Sequence, residues 1–229
     1  MNASDNLPVL VTYDWVPQFP RGFVREMRIR WAFEELGQPY RVETVPFAPR
    51  SEAHLAMQPF GQVPVLKTPT RTLFESGAIL LHLAGEHSAL MPKGRRDEVT
   101  QWLFAALNSV ELATFPWVLM KAAQQAPEIF GAAPPDDQIA KAGTRMHARL
   151  DGLSRELGDR EWLVGDFSAA DIAMADVLRA AAADGGIDGH PALASYVERA
   201  STRPAFLKAF ADHMDHWTMS DLARAKHSA

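Results

Sequence analysis

The sequence predicts an α/β domain followed by an all-helical domain. Short β-branched runs alternate with helical spacing up to about residue 85, and strand-like alternation then gives way to alanine-rich helical patterns. A polar segment that contains Pro92 and Gly94 separates the two patterns. We therefore predict an α/β domain at 1–85, a linker at 86–95 and a helical domain at 96–229.

The first domain has the predicted order β-α-β-α-β-β-α. The apolar run from Pro8 to Tyr13 is typical of a strand, and apolar residues from Phe23 to Leu36 have helical spacing that stops at Gly37. The remaining predicted elements are strands at 40–45, 63–66 and 71–74 and helices at 50–57 and 76–85.

Composition excludes several kinds of site. The 229 residues are 47% hydrophobic and 22% charged, with a net charge of -5 and no basic block, so nucleic-acid binding has little electrostatic support. The cysteine count is zero, which excludes disulfides, a cysteine nucleophile and thiolate metal sites.

The sequence also predicts a cytoplasmic protein without a membrane partner. The N-terminal residues lack the basic and apolar regions of a secretory signal. The apolar stretch from Ala78 to Gly85 is interrupted by His82 and is too short to cross a bilayer.

A helix-start motif lies in the second half of the chain. Ser168 and Asp171 have the spacing of a capping box, and Phe167 and Ile172 stand where a hydrophobic staple would form. We predict a purely structural role for this motif.

The segment from Gln58 to Leu66, QPFGQVPVL, places a proline at the start of an internal strand. A cis Val63–Pro64 bond would turn the Val63 backbone outward, where an extended peptide can pair with it. The alternative is a trans proline on an edge strand.

A second candidate binding feature is the helix that begins after Phe74. Its free amides and the Ser76 hydroxyl suit a carboxylate, and Glu75 suits an ammonium group. The alternative is that Glu75 and Ser76 only cap the helix.

In their order, these motifs resemble the glutathione transferase family. The matching pieces are RWAFEELG, GQVPVL, ESGAIL, FSAADIAMADVL and the stretch from Tyr196 to Phe206. The resemblance implies a thioredoxin-like N-terminal domain with a mixed four-stranded sheet, and a helical C-terminal domain. It also implies a cytoplasmic homodimer with a detoxifying transferase activity, which conjugates glutathione, as co-substrate, to a small hydrophobic electrophile bound between the domains.

The resemblance carries over to individual residues. It makes Val63 the backbone partner of the cysteinyl unit and Pro64 the cis proline. It makes Glu75 and Ser76 the holders of the γ-glutamyl head, with Gln62 as a neighbour.

For the glycyl carboxylate, the resemblance makes Arg50 and His54 the candidates. Both side chains could instead be merely exposed.

The sequence departs from the family where the thiolate must be stabilised. From Asp14 to Arg30 there is no Ser, Thr, Tyr or Cys, and the family's usual serine position falls near Phe23. The remaining candidates are the Tyr13 hydroxyl, the N-terminal end of the first helix, and the charge of Arg21 or Arg25.

For the second-substrate pocket we predict Trp15, Phe104, Leu107 and Trp117. Pro116 lies within a helical pattern and is expected to kink that helix, either to shape the pocket or to adjust core packing.

Four residues near the C-terminus have a helical spacing that could bind a metal: Asp212, His213, Asp215 and His216. Because no further ligands are evident, we predict an exposed C-terminal helix and no metal site.

The sequence leaves three candidate functions for the protein. The leading one is conjugation of glutathione to small electrophiles. The second is a non-catalytic binding module, which the missing hydroxyl makes credible. The third is glutathione-dependent isomerisation or ether cleavage.

Overall fold

The computed structural model describes residues 6–85 and 88–227 and divides the chain into two compact units. The first unit comprises Met1–Ser88 and Pro204–Ala229, and the second comprises Ala89–Arg203. The chain's last helix thus packs with the first unit, whereas we predicted it within a helical domain at 96–229. Residues 86 and 87 of the predicted linker lie outside the described residues.

The first unit contains a mixed four-stranded sheet, as predicted. Its strands are β1 (Val9–Tyr13), β2 (Arg41–Val45), β3 (Val65–Thr68) and β4 (Arg71–Phe74). In the strand order β2-β1-β3-β4, β1 runs parallel to β2 and antiparallel to β3, and β3 and β4 form an antiparallel hairpin.

Three helices complete the N-terminal part of this unit: α1 (Glu26–Leu36), α2 (Glu52–Met57) and α3 (Ser76–Ala84). Helix α1 ends at Gly37, whose φ of 58° is the left-handed conformation that glycine adopts at low cost. The sequence identified this stop correctly.

The second unit is helical throughout its named elements. They are α4 (Arg96–Phe104), a π-helical turn (Ala105–Val110), α5 (Glu111–Gln125), α6 (Pro127–Phe130), α7 (Asp136–Leu157), α8 (Ala169–Ala182) and α9 (Pro191–Ser201). Helix α8 is buried along most of its length, so it forms the centre of this unit.

The predicted capping box at the start of α8 is confirmed. Asp171 is fully buried, and its carboxylate accepts hydrogen bonds from the Ser168 amide (3.0 Å) and hydroxyl (2.8 Å). It also accepts from the Leu163 amide (3.0 Å) and the Tyr196 hydroxyl (2.8 Å). Asp171 therefore joins three segments of the second unit.

The stretch Arg96–Gln125 is long and apolar enough to cross a membrane, judged by length and composition only. An 18-residue window within it has a mean hydropathy of 1.4, and 22% of that window is buried. A helix within a folded domain can meet the same criterion, so this is weak evidence for a span. The stretch lies outside the shorter apolar run at 78–85 on which the expectation of no membrane partner was based.

The last helix, α10 (Pro204–His227), is 24 residues long. Our expectation that this C-terminal helix is exposed was wrong, because His213 and Trp217 have no exposed surface. The Phe206 ring packs against Trp31 of α1, and Trp217 joins the apolar cluster that includes Val9, Val11 and Val63.

Candidate functional site

The first feature of the candidate site is an unpaired backbone segment before β3. The Val63–Pro64 bond is cis, as predicted. Strand pairing begins at Val65, and the Val63 amide and carbonyl have no hydrogen-bond partner among residues 6–85 and 88–227. An extended ligand can therefore pair with Val63 as an added strand.

The second feature is the junction between β4 and α3. Glu75 is exposed and has a φ of 68° and a ψ of 116°, a conformation that costs a residue other than glycine about 1–3 kcal/mol. Strain of this kind persists where surrounding structure enforces it, and it clusters at functional sites.

Ser76 lies beside a buried positive charge. Arg28 is 2% exposed, and its Nη1 donates to the Ser76 hydroxyl at 3.2 Å. Because the hydroxyl accepts this bond, its own proton remains to be donated to a ligand. The start of α3 thus combines a hydroxyl donor, helix amides and a nearby guanidinium, which together suit a carboxylate.

The Tyr13 hydroxyl points at the segment that precedes Val63. It donates to the Gly61 carbonyl at 3.0 Å and accepts from Arg50 Nη2 at 3.1 Å. Burial raises the pKa of Tyr13 above 10.0, although the Arg50 charge acts in the opposite direction. The phenol therefore stays protonated, but its single proton is already donated within the protein.

Arg50 and His54 also contact this segment. Arg50 Nε donates to the Gly61 carbonyl at 2.6 Å, and its guanidinium lies 4.9 Å from the Tyr13 ring centroid. The fully buried His54 donates from Nε2 to the Gln62 carbonyl at 2.9 Å. Both residues were candidates for the glycyl carboxylate, with simple exposure as the alternative. Both contact the backbone just before Val63, and the glycyl assignment stays a prediction.

Gln58 holds the same segment from its other side. Its Oε1 accepts from the Phe60 amide at 2.6 Å and from the Gln62 amide at 3.3 Å. Four side chains thus fix the Gly61–Gln62 backbone, which we call the cradle: Tyr13, Arg50, His54 and Gln58. The sequence reasoning missed the cradle because a bond to a backbone carbonyl leaves no pattern in the sequence.

Arg21, predicted as a source of charge for the thiolate, is held by α10. Its guanidinium donates to both carboxylate oxygens of Asp221, at 2.6 and 2.7 Å, and to the Val16 carbonyl at 3.0 and 3.2 Å. These contacts lower the pKa of Asp221 from 3.8 to about 2. The opposite charge of Asp221 offsets that of Arg21, so Arg21 mainly ties the loop after β1 to α10.

Trp15 takes part in the same contact and borders a cavity within the first unit. Its Nε1 donates to Asp221 Oδ1 at 2.9 Å, and the Arg224 guanidinium lies 4.3 Å from its ring centroid. The cavity has a volume of about 600 Å³ and is lined by Asp14, Trp15, Thr44, His216, Met219, Ser220, Ala223 and Arg224.

Two histidines of α10 also hold the loop after β1. His213 donates from Nδ1 to Glu26 at 2.8 Å, while its Nε2 accepts from the Gly22 amide at 3.0 Å and from Trp217 Nε1 at 3.1 Å. His216 donates from Nε2 to the Tyr13 carbonyl at 2.9 Å. Both ring orientations follow from these partners, so the histidines act as structural links here.

Three of the predicted pocket residues lie in the second unit. Phe104 ends α4 and is exposed, and Leu107 is half-buried in the π-helical turn. Trp117 follows Pro116 in α5 and packs against Gly143 of α7. Among the described residues, the cavity of about 420 Å³ that Trp117 lines does not include Phe104 or Leu107.

Comparisons with known proteins identify both halves of the chain. The family model for the glutathione S-transferase N-terminal domain matches residues 20–85, and the model for the C-terminal domain matches residues 111–204. The chain is 30% identical over 148 residues to a probable glutathione S-transferase, GSTF2, of Oryza sativa, and the match covers 61% of this chain and 67% of the relative.

Solved structures agree with this assignment. A glutathione S-transferase from Pseudomonas fluorescens is 26% identical with a TM-score of 0.70, and the match covers 87% of this chain and 96% of that one. A glutathione transferase from Burkholderia graminis, described with two glutathione molecules bound per subunit, has a TM-score of 0.72 at 21% identity. That match covers 91% of this chain and 89% of the other, and it supports the fold.

Proposed function

Because the chain belongs to the glutathione S-transferase family, we propose that it binds glutathione in its first unit and conjugates the thiolate to a small hydrophobic electrophile. The observation that carries this proposal is the unpaired Val63 backbone beside the cis bond to Pro64. The glutathione bound to the Burkholderia graminis structure, which shares the fold, is consistent with it.

Two parts of glutathione have proposed partners, the cysteinyl unit and the γ-glutamyl head. The cysteinyl unit pairs with the Val63 backbone in the manner of an added strand. The γ-glutamyl carboxylate takes the Ser76 hydroxyl and the amides at the start of α3, and its ammonium group takes Glu75. Gln62, next to Val63, remains the proposed neighbour.

We propose that the cradle residues position the backbone that binds glutathione and do not take part in the reaction of its thiol. Tyr13 and Arg50 both hold the Gly61 carbonyl, two residues before Val63. The thiolate then depends on the N-terminal end of α1, whose dipole favours an anion, with Arg25 as a nearby charge. This arrangement needs no side-chain hydroxyl at Phe23.

The cavity beside Trp15 is the proposed place for the electrophile. Trp15, Met219 and Ala223 give it apolar walls, and its volume of about 600 Å³ lies within the range of small-molecule pockets. Phe104, Leu107 and Trp117 do not line this cavity, and their roles in binding the electrophile remain predictions.

A cytoplasmic homodimer remains part of the proposal. Apolar side chains stand exposed on the helices of the second unit, as expected for a covered face: Phe104, Leu112, Phe115 and Leu119. Leu112, the most exposed of them at 69%, offers a test, because Leu112→Glu should convert a dimer to a monomer in light scattering. A parent protein that is already monomeric would contradict dimerisation.

A non-catalytic glutathione-binding module is the second candidate. The absence of a hydroxyl or thiol side chain between Asp14 and Arg30 favours it.

One experiment separates the two candidates. Glutathione is added while the ultraviolet thiolate band is recorded, and turnover of a chloronitrobenzene is then measured. A transferase shows the band near neutral pH together with turnover. Glutathione binding without a thiolate band and without turnover identifies the non-catalytic module. The absence of glutathione binding contradicts both candidate functions.

A further inference from the structure

A second cleft lies between α5 and α7 of the second unit, apart from the residues assigned to glutathione. Its volume is about 420 Å³, within the range of small-molecule sites. Its walls are mixed in chemistry and consist of Trp117, Lys121, Gln124, Asp136, Ile139, Ala140, Gly143, Thr144 and His147.

One wall of this cleft is a fixed indole. Trp117 lies between Gly143 and Gly186, where an added Cβ would come within 3.3 Å and 2.8 Å of the ring, respectively. A side chain at Gly186 would displace the indole, since real Cβ atoms essentially never make contacts below 3.0 Å. The two glycines therefore let the ring pack tightly, and a rigid aromatic surface can hold a planar ligand without losing conformational entropy.

The cleft is also lined by a histidine that is oriented by its neighbours. His147 Nδ1 lies 3.0 Å from Nε2 of His190. The ring centroids are 5.3 Å apart and the planes differ by 20°, so the nearly coplanar rings meet nitrogen to nitrogen. This geometry suits a shared proton and leaves no room for a metal between the nitrogens.

A carboxylate favours one direction of that hydrogen bond. Asp151 Oδ1 lies 3.6 Å from Nδ1 of the buried His190, which is beyond hydrogen-bond distance, but its negative charge favours a proton on that nitrogen. His190 Nε2 then accepts, and His147 donates from Nδ1. His147 Nε2 is left with a lone pair and has no hydrogen-bond partner in the described part of the chain.

We propose that this cleft is a second ligand site, which binds a small planar aromatic molecule that carries a hydroxyl group. The ring lies against Trp117 and the apolar surface of Ile139 and Ala140, and the hydroxyl donates to His147 Nε2. Lys121, which donates to Gln124 at 3.0 Å, keeps further donors for a polar substituent on the ligand. This site does not depend on the proposed transferase activity.

The test compares β-naphthol with its methyl ether, which keeps the rings but lacks the donor proton. Calorimetry on the full chain should show a naphthol site that persists with glutathione present or absent, and at least tenfold weaker binding of the ether to it. His147→Phe should remove this difference, while Arg149→Phe, an exposed position of α7 that does not line the cleft, should retain it.

Chemical shifts of the Trp117 indole N–H should locate the ligand. Equal affinity for naphthol and its ether, an unchanged preference in His147→Phe, or no perturbation at Trp117 would each overturn the proposal. Thermal melts of both variants confirm that the compared proteins are folded.

Discussion

Replacing Tyr13 with Phe distinguishes a cradle residue from a catalytic one. The change removes the bond to the Gly61 carbonyl and the acceptor for Arg50 Nη2. The first is a neutral hydrogen bond worth about 0.5–1.5 kcal/mol, and Arg50 is only partly buried, so water replaces much of the second. We expect the free energy of unfolding to fall by about 1–2 kcal/mol.

The effects on glutathione follow from the same geometry. A loosened Gly61–Gln62 backbone should weaken binding by about fivefold or less, equivalent to about 1 kcal/mol. The pKa of the bound thiol should not change, because the Tyr13 proton goes to Gly61 and not to sulfur. A hydroxyl that did bind the thiolate would contribute about 1.5–3 kcal/mol, and its loss would raise that pKa by one to two units.

The assay is an ultraviolet titration of bound glutathione, run beside urea denaturation. Tyr40→Phe is the matched control, since Tyr40 is another tyrosine of the first unit and stacks on Phe33. A rise of one unit or more in the thiol pKa of Tyr13→Phe, with unchanged unfolding, would refute the cradle and restore the catalytic role.

Three further predictions concern the head-group site, the helical unit and α10. Ser76→Ala should weaken glutathione binding by about 1.5–3 kcal/mol, and unchanged calorimetric affinity in both Ser76→Ala and Glu75→Ala would remove that assignment. Asp171→Ala should cost about 4 kcal/mol or more, because it leaves four buried donors without an acceptor, whereas Ser168→Ala should cost about 0.5–2 kcal/mol. Both should leave glutathione affinity unchanged in folded protein, and a collapse of affinity without a change in melting would contradict the structural role. Burial lowers the pKa of His216 below 6.5, so the unfolded state binds more protons between that lowered value and 6.5. His216 should therefore stabilise the fold fully above pH 6.5 and progressively less as the pH falls, and urea midpoints of parent and His216→Gln that keep a constant difference across this range would exclude the effect.

The fold could be predicted from sequence where the signals are local. Hydrophobic periodicity located the strands and α1, and the spacing of Ser168 and Asp171 located the start of α8. The cis Val63–Pro64 bond and the start of α3 at Ser76 could be predicted because a proline and a helix-start pattern mark their positions.

The contacts of α10 could not be predicted in this way. Arg21 and Asp221 are 200 positions apart, and neither carries a local signal of its partner. The polar residues of α10 therefore suggested an exposed helix, although several of them bind the loop after β1.

The contacts of the cradle could not be predicted from the sequence for a different reason. Tyr13, Arg50 and His54 have side chains that suit a ligand and a backbone carbonyl equally well. The residue types were informative about position, but the bonds of these side chains to the Gly61 and Gln62 carbonyls could not be predicted from them.

A crystal structure of the glutathione complex tests the central proposal most directly. The account predicts that the cysteinyl amide and carbonyl pair with the Val63 backbone and that the γ-glutamyl carboxylate lies within hydrogen-bond distance of Ser76. The proposal would be contradicted by density for glutathione elsewhere. It would also be contradicted by a crystal saturated with glutathione in which the Val63 amide and carbonyl remain unpaired.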